Sequence, residues 1–145
     1  MGRPSTFSQE LGLAICEKLV EGLSLRTICL ADDMPAVSTV MLWLTKHKEF
    51  SEQYAHAREA QADTLADEML DIADDASNDW MERPENKGGG WELNGDHVQR
   101  SRLRLDTRKW IAAKLKPKKY GDKVETTHKG DIEAPIMITA TDSRL

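Results

Sequence analysis

Five carboxylates crowd one stretch in the middle of the chain, and their oxygens are the ligands best suited to a catalytic metal ion. They are Asp67, Glu68, Asp71, Asp74 and Asp75. Metal-assisted hydrolysis of nucleic acid would need such ligands around a cleft. Their spacing instead places them along one helix. We therefore favour a solvated helix face over a nuclease site built on Asp71, Asp74 and Asp75.

The histidines, cysteines and glycines complete no other catalytic or metal site. The histidines are scattered along the chain, at His47, His56, His97 and His128. Cys16 and Cys29 fall at apolar positions of predicted helices, where buried thiols are expected. No Gly-Lys-Ser/Thr follows the glycines at 88–90, so they form no phosphate-binding loop. We expect no catalytic residues, no metal and no cofactor.

Short hydroxyl groups and a few cations mark the first fifty residues. Ser38 and Thr39 stand in the first turn of a helix predicted to begin at about Ala36, directly after Pro35. Hydroxyls at that end of a recognition helix can bond base edges or phosphates in a major groove. Cations of the same module would contact phosphates. The predicted DNA-binding residues are Arg3, Arg26, Ser38, Thr39, Lys46 and Lys48.

The elements that position these side chains follow the order of a helix-turn-helix: helix, short helix, tight turn, helix. Ser8 and Ser24 are expected to cap the first two helices, and Gly22 to end the first. One apolar face of the first helix carries Leu11, Ile15, Leu19 and Val20, and the short helix carries Leu25, Ile28, Cys29 and Leu30. The predicted inward stripe of the third helix is Val37, Val40, Met41 and Leu44. The same trihelical bundle could bind a protein instead of DNA.

Charge divides the rest of the chain into blocks. The overall net charge is −5, but residues 49–98 hold three basic and fourteen acidic side chains, while residues 99–124 hold ten basic and two acidic ones. A long acidic helix is predicted over 49–76 and a basic helix over 97–115. The basic helix could pack on the acidic one or contact DNA. No apolar run reaches membrane length and no leader pattern opens the chain, so we expect a cytosolic protein with no membrane partner.

The long helix carries an apolar seam, spaced by three and four residues from Phe50 to Ala76, that we expect a second subunit to bury. The predicted oligomerisation residues are Leu65, Met69, Ile72, Leu103, Leu105, Trp110, Ile111 and Leu115. Residues 78–96 are interpreted as a loop. Trp80 and Trp91 are expected to hold the ends of this loop against the helices. Two β-prone runs, 124–128 and 136–141, would pair with other copies or stay loose.

Several stretches, taken together, resemble one known family. They are residues 2–5, 34–35, 38–40 with 43–44, 57–62, 102–110 and 116–123. The run from Arg-Leu-Asp-Thr-Arg-Lys-Trp to Tyr-Gly-Asp-Lys is far more specific than a helix-turn-helix. The chain resembles the small subunits of tailed-phage terminases, in their Sf6-like branch, over nearly its whole length.

The resemblance implies a non-enzymatic protein that binds double-stranded viral DNA at a packaging start site, in the host bacterial cytoplasm. It implies a ring homo-oligomer of about eight or more subunits that loads DNA onto the large terminase subunit, the ATPase and nuclease. The terminal strands would close an intersubunit β-barrel. The alternative is a dimeric helix-turn-helix transcription regulator, which would leave the long acidic helix and the strands without a role.

The expected fold is mainly α in three parts. Residues 1–48 form a helix-turn-helix DNA-binding domain. Residues 49–120 form a long-helix hairpin for oligomerisation, with the loop 78–96. Residues 121–145 form a C-terminal β segment.

Overall fold

The computed structural model describes residues 2–123, and these are mainly helical with one small antiparallel sheet. The elements in chain order are α1 (Gln9–Val20), α2 (Leu25–Ile28), α3 (Val37–Lys46), α4 (Lys48–Asp74), β1 (Trp80–Glu82), a 3₁₀ turn (Glu85–Lys87), β2 (Trp91–Leu93), α5 (Gly95–Leu115) and α6 (Pro117–Tyr120). The strands expected at 124–128 and 136–141, and the barrel built from them, lie outside the described residues.

Local capping defines the first two helices as predicted. The Ser8 hydroxyl accepts a hydrogen bond from the Leu11 amide at 3.2 Å, and Ser24 accepts one from the Thr27 amide at 3.2 Å. Gly22 follows α1 with φ of +98°, a conformation that costs glycine little. The predicted caps and the glycine stop are confirmed.

The first three helices enclose an apolar core that also takes in the start of α4. Its buried members are Ile15, Cys16, Leu19, Leu25, Ile28, Cys29, Met34, Val40, Trp43, Phe50 and Ala57. Met41, expected in the inward stripe of α3, is exposed instead, and so are Val20 and Leu30 on the two preceding helical segments. In α3 the inward positions are Val40 and Trp43, and the Trp43 ring meets Phe7 edge-on, with ring centroids 5.3 Å apart. Because these two residues face the core, Met41 on the other side of the helix faces solvent.

Helices α4 and α5 form an antiparallel hairpin. Arg108 Nε donates to Glu68 Oε2 at 2.7 Å, and Lys116 Nζ donates to Asp63 Oδ2 at 3.0 Å. Leu65 and Ile72 of α4 and Ala112 of α5 are buried. The expectation that another subunit must bury the long-helix seam is therefore wrong for these positions, since α1 and α5 of the same chain pack along α4.

Residues 78–96, expected to be a loop, contain a β-hairpin between α4 and α5. Strands β1 and β2 pair antiparallel, with Trp80 opposite Leu93 and Glu82 opposite Trp91. Both tryptophans are exposed, so the prediction that they pin the loop ends to the helices is wrong. Asn94 then caps α5 by accepting from the His97 amide at 3.2 Å. Within residues 2–123, no helix combines the length and apolar character that crossing a membrane requires.

Candidate nucleic-acid interface

One face of α3 is turned to solvent along its whole length. The exposed residues are spaced by three and four positions, as expected for one helical face: Ser38, Met41, Leu42, Thr45 and Lys46. Met41 and Leu42 are 48% and 49% exposed. Thr45 Oγ1 donates to the Leu42 carbonyl at 2.7 Å. This face offers hydroxyls, two apolar side chains and one cation.

The N-terminal turn of α3 places the two predicted hydroxyl residues differently. Ser38 is exposed, whereas Thr39 is half-buried. The N-cap position is Ala36, whose side chain cannot accept a hydrogen bond. Backbone amides in the first turn of a helix point out of it and attract anions such as phosphate. This end of α3 can therefore bind a phosphate next to Ser38.

Lys46 and Lys48 flank the junction where α3 ends and α4 begins. His47 lies between the two helices, and its imidazole stacks on the Phe7 ring with centroids 4.0 Å apart. Both lysines are exposed. Among the described residues, the only ion pair at the junction joins Lys48 to Glu52 at 3.9 Å. Such an exposed pair contributes little. The junction therefore presents two available cations at the C-terminal end of the exposed face.

Arg3 and Arg26 lie on other segments of the bundle than the two lysines. Arg26 is exposed in the last turn of α2, and Arg3 is exposed in the N-terminal arm. Burial raises the pKa of the Cys29 thiol, and the Arg3 charge acts in the opposite direction, so Arg3 lies near the end of α2. The structure therefore places Lys46 and Lys48 at the junction of α3 and α4, Arg26 in α2, and Arg3 in the N-terminal arm.

The bundle is held on α4 by polar bonds to the last residue of α1 and to the loop between α1 and α2. Gln61 is buried and donates to the Leu23 carbonyl at 2.9 Å, while its Oε1 accepts from Arg58 at 3.0 Å. Thr64 Oγ1 donates to the Val20 carbonyl at 2.6 Å. These bonds fix the orientation of α3 relative to the long helix, across the boundary predicted at residue 48.

Asp63 fastens the far end of α5 and α6 to α4. It accepts from Lys119 Nζ at 2.8 Å, from the Tyr120 hydroxyl at 2.6 Å and from Lys116 Nζ at 3.0 Å. The hydrogen bonds from Lys119, Tyr120 and Lys116 hold the pKa of Asp63 well below its usual range. These lysines of the basic block thus pair with the acidic helix.

The acidic stretch of α4 does not gather into a metal site. Asp71 and Asp74 are exposed on the helix, and Asp75 accepts hydrogen bonds from the Ser77 side chain and amide, which lower its pKa. Within residues 2–123, no three His, Cys, Asp or Glu side chains are grouped to hold a metal ion.

The predicted oligomerisation residues fall into three groups by exposure. Leu65 and Ile72 are buried inside the chain. Leu103 and Trp110 are exposed. The half-buried members are Met69, Leu105, Ile111 and Leu115.

Sequence reasoning missed several residues of these surfaces. Met41, Leu42 and Thr45 belong to the exposed face of α3, and the spacing of three, four and seven positions from Ser38 is the signal that finds them. The convergence on Asp63 had no such signal, because its partners lie more than fifty positions away in the chain.

A trihelical bundle carried on one end of a long antiparallel helical hairpin defines the class of this protein. Residues 7–127 match the family described as "Bacteriophage Sf6, terminase small subunit-like", and the chain belongs to that family. It is a small terminase subunit of the phage DNA-packaging type, as its sequence predicted.

Three solved structures of the terminase small subunit gp1 of the bacterial virus Sf6, each a point variant, are similar to this chain. The first is 39% identical with a TM-score of 0.66, covering 89% of this chain and 93% of that one. The second is 40% identical with a TM-score of 0.65, covering 83% and 86%. The third is 37% identical with a TM-score of 0.71, covering 96% and 100%. No sequence among the curated proteins matches.

Proposed function

We propose that this protein binds the packaging start site on double-stranded viral DNA as a ring homo-oligomer and delivers it to the large terminase subunit. The observation that carries the proposal is the solvent-facing side of α3, on a chain of the terminase small subunit family. In this proposal α2 and α3 are a helix-turn-helix, and α3 enters the major groove. The protein itself is not an enzyme, and it acts in the host bacterial cytoplasm.

The contacts divide by chemistry. Arg3, Arg26, Lys46 and Lys48 neutralise phosphates, and all four are exposed. Ser38 reaches a base edge or a phosphate at the groove, with Thr39 behind it. The exposed face also offers apolar contact to thymine methyl groups, through Met41 and Leu42.

A ring of several bundles binds DNA more tightly than one bundle does. Few cations serve each bundle, but several tethered copies raise affinity by about 10²–10⁴ without better individual contacts. We propose a ring of about eight or more subunits, held by the hairpin α4–α5 and by the segment 121–145. Leu103 and Trp110 are the exposed apolar residues that support contacts between copies.

Native mass spectrometry and DNA binding at several salt concentrations test the proposal together. The triple variant Arg26→Ala, Lys46→Ala, Lys48→Ala should weaken binding and flatten its salt dependence, because each lost phosphate contact removes released counterions. Lys87→Ala, in the distant 3₁₀ turn, is the matched control and should bind like the wild type. An unchanged salt slope in the triple variant would refute the contact assignment.

The mass measurement separates the alternatives. A ring mass supports the packaging role, and a monomer contradicts it. A dimer that binds a short palindrome tightly would favour a transcription regulator instead. Metal-dependent cleavage of plasmid DNA by the purified protein would contradict the absence of catalysis.

A further inference from the structure

The side of α4 turned away from α5 carries an acidic face with a leucine at its centre. Its members are spaced by three, four and seven positions and all are exposed: Asp67, Leu70, Asp71 and Asp74. Leu70 is 66% exposed. We name these four residues the acidic outer face.

An exposed side of α5 carries the same spacing with the opposite charge. Its members are Arg100, Leu103, Arg104, Thr107 and Trp110, and all are exposed. Leu103 is 66% exposed and Trp110 is 64% exposed. We name these five residues the basic outer face. Each face thus has an exposed leucine between two charges of the same sign. One charge lies three positions before the leucine, and the other lies one position after it.

The charges of these faces are not consumed inside the hairpin. The ion pairs between α4 and the later helices join Glu68 to Arg108 and Asp63 to Lys116 and Lys119, so they use none of the charged residues of the two outer faces. Among the described residues, Asp67, Asp71, Asp74, Arg100 and Arg104 form no ion pair. The hydrogen bonds from Ser77 lower the pKa of Asp75, and the charge of Arg104 adds a smaller effect in the same direction.

We propose that the acidic outer face of one copy packs against the basic outer face of the next copy, so that subunits join head to tail. This inference rests on the ring of the proposed function and assigns its contact surfaces. Leu70 and Leu103 meet at the centre, and carboxylates and guanidinium groups pair around them. Burying two such leucines with an adjacent indole also removes an exposed apolar patch from water.

Charge complementarity selects a second copy in this arrangement. Two acidic faces or two basic faces brought together would repel, so a two-fold symmetric contact through either face is disfavoured. DNA could neutralise the basic face but not the acidic one. Only a contact between unlike faces satisfies both.

The geometry of the hairpin allows the contact to repeat. Leu70 lies on the opposite side of α4 from the buried Leu65 and Ile72, and Leu103 lies on the opposite side of α5 from the buried Ala112, so the centres of the two faces can contact different copies. A contact between different patches on successive copies propagates, and it closes into a ring when the rotation between copies is right.

A charge-swap experiment on the full-length protein tests the pairing. The first variant carries Asp71→Arg and Asp74→Arg, and the second carries Arg100→Glu and Arg104→Glu. Each alone should associate at least about 100-fold more weakly than the wild type, because like charges then face each other. An equimolar mixture should recover the ring, since every contact between unlike variants again joins opposite charges.

Control variants place the same changes outside the two faces. Glu82→Arg with Glu85→Arg in the β-hairpin segment, and Arg102→Glu with Lys109→Glu on the other flank of α5, should keep the wild-type mass. Circular dichroism verifies that every variant retains its helix content.

The outcomes separate this inference from the proposed function. Recovery by mixing supports the head-to-tail pairing. Assembly of each charge variant alone, or failure of folded variants to recover on mixing, overturns the pairing but leaves a wild-type ring intact. A wild-type protein that never assembles overturns the ring and the pairing together.

Discussion

The imidazole of His47 lies parallel to the ring of Phe7, with centroids 4.0 Å apart and planes inclined by 18°. Phe7 also lies 5.5 Å from the Phe50 ring, so one aromatic residue before α1 joins the end of α3 to the start of α4. Lys46 and Lys48 flank this stack on the chain. Lys46 is the last residue of α3, whereas the position of Lys48 relative to α3 is set by packing that lies outside α3.

Removing the stack should loosen the two lysines. His47→Ala is expected to lower the free energy of unfolding by about 1 kcal/mol, since a stacked aromatic pair contributes about that much. DNA affinity should fall further than this loss of stability explains, because Lys48 loses its fixed position relative to α3. His56→Ala, an exposed site on α4, is the control, and equal DNA binding by both variants would contradict the positioning role.

The buried amide of Gln61 should be needed to hold the bundle on α4. Gln61→Leu leaves the Leu23 carbonyl without its donor, and an unsatisfied buried polar group costs about 1–3 kcal/mol. Urea denaturation measures the loss, and Gln99→Leu, an exposed site on α5, should change stability little. Equal stability of both variants would show that the bond to Leu23 contributes nothing.

The Asp63 cluster predicts a pH-dependent contribution to stability. The pKa of Asp63 is lowered in the folded chain, so its stabilising effect is fully present above the carboxyl pKa of the unfolded chain, about 3.9. The effect is lost as the pH falls from there toward the folded pKa. Asp63→Asn should therefore unfold more easily than the wild type at neutral pH, with the difference narrowing below about pH 4. Asp106→Asn is the control, and a difference independent of pH would contradict the assignment.

The exposed face of α3 should determine sequence preference more than total affinity. Ser38→Ala with Leu42→Ala removes a hydroxyl and an apolar contact but no charge. The ratio of specific to nonspecific binding should fall about tenfold, since each base contact contributes about 1–3 kcal/mol of discrimination. The salt slope should stay at the wild-type value, because no phosphate contact is lost. A changed slope with unchanged preference would exclude this role for α3.

Features set by neighbouring residues could be predicted from the sequence. Ser8 and Ser24 cap helices through bonds that span three residues, and Gly22 ends α1 through its own backbone angle. The predicted membership in the terminase small subunit family is also confirmed. Each of these signals is local or is a linear motif, so it is present before the chain folds.

The β-hairpin was missed for the opposite reason. Strands β1 and β2 have three residues each, which is too short for a clear alternation of apolar and polar residues. Their pairing joins Trp80 to Leu93 across the glycine-rich turn. This pairing depends on the tertiary structure, which places the end of α4 next to the start of α5.

By itself, the sequence determined the family, the order of the helices and the residue types available for DNA and for other copies. The tertiary structure decided which of those residues reach solvent. Phe7 and Trp43 pack together and turn Met41 outward, while α5 returns along α4 and covers Leu65 and Ile72. Helical spacing defines faces but not their orientation, because a face becomes inner or outer only when a distant element packs against one side of it. Leu70 and Leu103 are exposed for this reason, and the proposed contact between copies depends on that exposure.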